Sequence, residues 1–177
     1  GTRLLRGRIY AKRQNELLRA MIKLTGPADL NGASYLMRES DKGDDMYVFL
    51  PALNRVRRIK GGAGDGPLFG TDLSYAEVKQ LQNAFGTGEP KLEGKEIVDG
   101  NSTRILSVKP AASSGSRYST MRAWVDETSC VALRVDFLEG SAPRKRLLAP
   151  VASLAKAGNF WYVGEATMTD LKENTST

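Results

Sequence analysis

The sequence predicts a mainly β (α+β) fold: roughly ten or eleven short antiparallel strands with one clear helix, as a sandwich, a closed barrel or a strongly curved open barrel. Three observations predict it. Apolar and polar residues alternate along most of the chain, turn-forming Gly, Pro, Asn and Asp interrupt that alternation at short intervals, and only one segment carries a helix start signal. The 177 residues, 41% apolar and 26% charged, suffice for a packed core in a single domain, and no boundary or repeat shows over 1–177.

Each element has a local reason. Arg3–Ala11 alternates weakly, with Arg3, Leu5 and Gly7 against Leu4, Arg6 and Arg8. Glu16–Leu24 alternates strongly: Leu18, Ala20, Ile22 and Leu24 form an apolar face opposite Leu17, Arg19, Met21 and Lys23, the mark of a half-buried strand. Gly26-Pro27 and Asn31-Gly32 punctuate a loop, Ala33–Glu39 is the next strand, and Asp41–Asp45 is a polar hairpin turn centred on Gly43. Met46–Leu50, closed by Pro51, and the alternating Asn54–Lys60 follow. After the glycine-rich segment Gly61–Gly70, Ser74 with Glu77 three residues on is a capping box, so a helix runs over Tyr75–Ala84 until Gly86 and Gly88 stop it. Lys91–Val98 and Ser102–Val108 form a hairpin around Asp99-Gly100-Asn101. Ser113–Ser116 is a loop, Arg117–Val125, Val131–Leu138 and Arg144–Leu148 are three strands, Phe160–Met168 is the last, and the polar Thr169–Thr177 frays.

Composition removes several chemistries. Cys130 is the only cysteine, so no internal disulfide and no thiolate zinc cage forms. With no histidine, His-activated nucleophiles and His-ligated metals are excluded, and an enzyme would work with carboxylates, Lys or Tyr. No metal or other cofactor is expected. The single cysteine fits the cytosol and a disulfide-free periplasmic protein equally. The chain opens at Gly1-Thr2 without a signal peptide, which leaves the compartment undecided.

The net charge of +6 is unevenly placed: residues 1–60 hold 13 Lys and Arg against 6 Asp and Glu, whereas 61–177 hold 13 against 14. A one-sided basic region fits an anionic partner or a solubilised strand face. Other signals are weaker. GGAGDGPLFG over Gly61–Gly70 lacks the GK[ST] of a phosphate-binding loop and reads as a mobile surface loop. Asp41, Asp44 and Asp45 lack the spaced glutamate of an EF-hand and read as a solvated turn. Arg55, Arg57 and Arg58 suit a phosphate-bearing partner or an exposed strand. No aromatic residues interleave with them as a nucleic-acid platform would require, so no nucleic-acid partner is expected.

Two segments carry a resemblance. Met46–Ile59 (MYVFLPALNRVRRI) and Phe69–Val78 (FGTDLSYAEV) resemble the LolA-like branch of the outer-membrane lipoprotein-sorting family, in its leucine-proline strand end, its Arg-Arg-Ile strand and its Asp-Leu-Ser-Tyr helix start. Trp124-Val125-Asp126 followed by Leu133-Arg134-Val135 is similar to a later hairpin of that family. The chain departs from the pattern at Met46, where the family has Trp, at Ala76-Glu77, and in lacking a Pro near Ala132. The family usually begins with a signal peptide and a first helix, and this sequence is expected to be a mature or trimmed chain without them.

The resemblance implies a single periplasmic domain over 1–177, an unclosed, strongly curved half-barrel of about ten strands with short covering helices and a hydrophobic cavity for acyl chains. The apolar Leu18/Ala20/Ile22/Leu24 face needs burial while one helix is available to cover it, which agrees with a sheet that encloses space. The expected lining is Leu18, Ala20, Ile22, Leu24, Leu36, Val48, Leu50, Val56, Trp124, Val135 and Phe137, with Arg55, Arg57 and Arg58 at a partner or head group. The expected function is non-enzymatic carriage of a lipid or lipidated protein by a monomer peripheral to the membrane, between an inner-membrane exporter and an outer-membrane acceptor. Two rivals stand beside it: a periplasmic sensor of similar fold that recognises a protein partner, and an enzyme built on paired carboxylates or Tyr.

Overall fold

Alternation becomes antiparallel sheet throughout. The computed structural model describes residues 3–40, 44–82, 89–110 and 116–177, and the chain divides into two compact units, Gly1–Gly64 and Asp65–Thr177. Among the described residues, no helix is long and apolar enough to cross a membrane.

The N-terminal unit is a five-stranded meander. Strands β1 (Arg6–Gln14), β2 (Leu17–Gly26), β3 (Ser34–Arg38), β4 (Asp45–Leu50) and β5 (Arg55–Ile59) pair in chain order. The β1–β2 hairpin turns on Asn15 and Glu16, both at positive φ (52° and 64°), the handedness that matches the twist of the flanking strands. Because Glu rarely takes that conformation, the sequence placed the first strand three residues too early. Between β2 and β3, the Gly32 N–H reaches the Leu24 carbonyl at 2.9 Å, with Gly32 itself at φ +89°. One face of the sheet is buried, by Leu18, Ala20, Leu24, Tyr35, Met37, Val48 and Ile59. The expected turn centre, Asp41 to Gly43, lies outside the described residues.

The C-terminal unit carries the helix and the larger sheet. The glycine-rich segment, expected as an open loop, folds into 3-10 turns at Gly61–Asp65 and Leu68–Gly70, with Leu68 buried. Helix α1 (Tyr75–Gln82) begins as the capping box predicts: the Ser74 N–H donates to Glu77 Oε2 at 2.7 Å and the Glu77 N–H donates to Ser74 Oγ at 3.1 Å. Its expected end at Ala84, the stop at Gly86 and Gly88, and most of the 113–116 loop lie outside the described residues. Then come β6 (Lys91–Val98), β7 (Asn101–Val108), β8 (Thr120–Asp126), β9 (Ala132–Glu139), β10 (Ala142–Leu148), β11 (Leu154–Ala157), β12 (Phe160–Val163), β13 (Thr167–Asp170) and β14 (Thr175–Ser176). Seven of them form an open sheet in the order β14-β13-β10-β9-β8-β7-β6. One face packs a core of Tyr118, Met121, Ala123, Val135, Phe137 and Met168 with Leu73, Leu81 and Leu147.

Two expectations at the C-terminal end are corrected. Phe160–Met168 is not one strand: Phe160–Val163 pairs with β11 in a separate ribbon, and only Thr167 onward joins the large sheet. The tail does not fray. β13 and β14 pair, Met168 and Thr177 exchange backbone hydrogen bonds at 2.8 and 2.9 Å, and the Thr175 and Thr177 hydroxyls donate to the Asp72 carboxylate. Polar side chains tie this terminus down, a contact that hydropathy does not reveal.

Both large sheets stay open at their edges, so the described strands form curved, open antiparallel sheets and no closed barrel.

Candidate functional site

Cross-strand register brings three rows of side chains onto the second face of the N-terminal sheet. The middle row is Tyr10, Met21, Leu36, Tyr47 and Arg58, read from β1 to β5. On one side runs Arg8, Lys23, Ser34, Phe49 and Val56, and on the other Lys12, Arg19, Arg38 and Asp45. These rows are consecutive because side chains of one face recur every second residue, about 7 Å along each strand. Within them Ser34, Leu36, Tyr47, Phe49 and Val56 line a concavity of about 360 Å³. Ser34 is its one polar side chain apart from the Tyr47 hydroxyl. Leu36, Tyr47 and Phe49 are half-buried and Val56 is 62% exposed, so the hollow is open.

The charges around it are unequally satisfied. At the β5 end Arg58 pairs with Asp45. Arg19 donates to the carbonyl oxygens of Leu18 and Glu39, at 3.3 and 2.5 Å. Arg8, Lys12 and Lys23 are exposed, and among the described residues none of their side chains has an ion pair or hydrogen bond.

The expected lining residues are distributed over four places. Leu36 and Val56 stand in the concavity. Leu18, Ala20, Ile22, Leu24, Val48 and Leu50 occupy the opposite face of the same sheet, where Leu18, Ala20, Leu24 and Val48 are buried. Val135 and Phe137 lie in the core of the C-terminal unit, and Trp124 lies on the other face of its sheet, buried, with its indole N–H on Glu96 at 2.7 Å and the Arg134 guanidinium 3.9 Å above the ring. The three arginines are also divided: Arg58 faces the concavity, while Arg55 and Arg57 point to the opposite face with Val48. Tyr47 and Phe49 escaped the sequence reading because their strand, MYVFL, is apolar on both faces and period two cannot rank one face over the other.

The C-terminal unit holds a sealed polar cluster. Tyr118 donates to Glu77 Oε1, and Lys145 reaches Glu77 at 3.1 Å and the Asp72 carbonyl at 2.5 Å. Glu77 is 1% exposed, so these groups fasten α1 to the sheet and meet no substrate. On the other face Asp136 accepts paired hydrogen bonds from Arg134 (3.0 and 2.6 Å) and from Arg146 (2.7 and 2.9 Å). A second hollow of about 300 Å³ is lined by Arg104, Leu106, Val125, Asp126, Glu127 and Cys130. Its Glu127 is held down to about 2 by hydrogen bonds from Lys95, Arg104 and Ser102. Among the described residues, no three carboxylates or thiols converge as a metal site.

A family model described only as covering uncharacterized proteins matches residues 17–177. Among solved structures, a DUF1329 family protein from Desulfovibrio piger is similar at a TM-score of 0.88 and 27% identity, covering 96% of this chain and 72% of that one. A domain named for outer membrane lipoprotein sorting, from Vibrio parahaemolyticus, is similar at a TM-score of 0.83 and 21% identity, with 96% and 72% covered. A LolA superfamily protein from Nitrosomonas europaea follows at 0.67 and 18%, with 97% and 79% covered. At those identities the last two show the fold alone, which is the fold that the motif resemblance implied. No curated protein matches the chain.

Proposed function

We propose that this chain, which belongs to the DUF1329 family of uncharacterized proteins, is a non-enzymatic periplasmic carrier that holds an acyl chain of a lipid or lipoprotein for transfer towards the outer membrane. The observation that carries this reading is the apolar concavity of Leu36, Tyr47, Phe49 and Val56 on a face that also carries Arg8, Lys12, Arg19, Lys23, Arg38 and Arg58. A hollow of about 360 Å³ lies within the usual range of ligand pockets, about 300–1,000 Å³. Each methylene withdrawn from water into it contributes about 0.8 kcal/mol, so a chain is held without polar specificity. The lipoprotein-sorting name of one fold neighbour and the LolA superfamily name of another support the periplasmic compartment and the cargo class. An exporter and an acceptor membrane protein would be its donors and recipients. The exposed Phe160-Trp161-Tyr162 ribbon supports peripheral contact with a bilayer, where Trp and Tyr favour the interface.

Native mass spectrometry of the purified protein, with displacement of a fluorescent fatty-acid probe, tests the reading. Co-purified acyl lipid and a probe signal abolished by Phe49→Asp are expected. A protein that carries no lipid and takes up no probe overturns it.

A further inference from the structure

We infer that the site takes an anionic single-chain amphiphile, with its phosphate or carboxylate head at the β1–β2 end and its acyl chain running across β3 and β4 to Val56 on β5. This rests on the acyl-binding reading above and adds the head-group charge and the direction of the ligand.

Two independent features carry it. The first is an apolar path across the sheet: Met21, Leu36 and Tyr47 in one row and Phe49 and Val56 in the next. From β2 to β5 this spans three strand spacings, about 14 Å. The second is an electrostatic arrangement that folding alone does not favour. Arg8 stands directly opposite Lys23, and Lys12 directly opposite Arg19, in the same antiparallel pair and on the same face. Like charges in that position repel and destabilise the pair they join. Tyr10 and Met21 lie between the two basic pairs.

The polarity follows from which cations are already neutralised. Arg58, at the β5 end, has Asp45 as its counterion; Arg38 lies between Arg19 and Asp45 in the ladder, with no ion pair of its own among the described residues. Arg19 is occupied by backbone carbonyls. Arg8, Lys12 and Lys23 have neither among the described residues. An anion at the β1–β2 end would relieve the repulsion, whereas one at the β5 end would compete with Asp45. Lys and Arg beside a phosphate or carboxylate form charge-assisted hydrogen bonds, the stronger class of such contacts.

Displacement of the fluorescent fatty-acid probe by dodecyl phosphate, dodecanoate, dodecanol, dodecyltrimethylammonium and inorganic phosphate tests this. The wild-type chain is compared with the triple variant Arg8→Gln, Lys12→Gln, Lys23→Gln. The expected result is that both anionic chains displace the probe at concentrations at least about tenfold below dodecanol, and that the triple variant loses this advantage while keeping its affinity for dodecanol. The variant's thermal midpoint at low salt should equal or exceed that of the wild type, because the repulsion is gone. Equal displacement by dodecanol and dodecyl phosphate in the wild type overturns the head-group assignment and leaves the acyl reading standing. Failure of every dodecyl compound overturns both. Inorganic phosphate as effective as dodecyl phosphate, an anionic advantage retained by the triple variant, or binding to phosphatidylglycerol vesicles without binding of any monomer overturns the proposal.

Discussion

Lys145 and Glu77, 68 residues apart in the chain, meet at 3.1 Å inside the C-terminal unit, where the same Glu77 carboxylate also caps helix α1 and accepts the Tyr118 hydroxyl. One buried anion therefore joins the helix start to β10 and to the segment before β8. Removing only one partner strands the other charge, so Lys145→Met should cost about 3–5 kcal/mol in urea denaturation. Replacing the pair together, Lys145→Met with Glu77→Leu, should recover part of that loss. The remainder is the lost cap, about 1 kcal/mol.

Tyr118 gives a prediction at high pH. Burial, then its hydrogen bond to the Glu77 carboxylate, holds the phenol well above its ordinary value of 10.0. The folded protein thus keeps a proton that the unfolded chain releases near pH 10, so this contribution is full below that pH and is lost as pH climbs above it. Tyr118→Phe should lower stability by about 1–3 kcal/mol at neutral pH. The gap from the wild type should narrow above pH 10 in chemical denaturation.

At the acid end the group to follow is Asp136. Its burial favours the neutral form, but the paired hydrogen bonds from Arg146 and Arg134 outweigh that and hold the carboxyl below its ordinary 3.8. A depressed carboxylate contributes stability above its unfolded pKa and loses it as pH falls through the folded one. Asp136→Asn should therefore be destabilised by about 3–5 kcal/mol at neutral pH. Wild-type and variant denaturation curves should converge as the pH drops below 3.8.

The aromatic ribbon separates stability from surface binding. Phe160 is 80% exposed and Tyr162 50% exposed, so serine at both positions should change stability by no more than about 0.5 kcal/mol. The same substitutions should weaken co-sedimentation with phospholipid vesicles. A blue shift of Trp161 fluorescence on vesicle addition should be present in the wild type and reduced in the double variant.

Much of the strand framework was legible because its cues are local. Glu16–Leu24 shows its buried face by alternation, Ser74 and Glu77 announce the helix, and Asp99-Gly100 marks the β6–β7 turn, where both residues take positive φ (49° and 82°). The β1–β2 turn at Asn15-Glu16 was hidden by an unfavourable residue, and the tail by its polarity. The motifs that carried the family resemblance proved to be folding devices. Ser74 and Glu77 cap α1, Asp72 anchors the terminal threonines, and Asp126 accepts the Ser129 N–H and hydroxyl at 2.7 and 2.6 Å.

The sequence by itself determined the β class, the single capped helix, the concentration of positive charge in residues 1–60 and the face on which Leu18, Ala20 and Leu24 are buried, since each depends on neighbours within a few residues. Only the tertiary structure decided that Leu36 and Val56 leave the expected lining group to join Tyr47 and Phe49, that Arg58 parts from Arg55 and Arg57, and that Arg8 confronts Lys23. Those relations depend on strand register, and a slip of one residue would exchange the two faces of a strand while leaving its hydrophobic pattern unchanged.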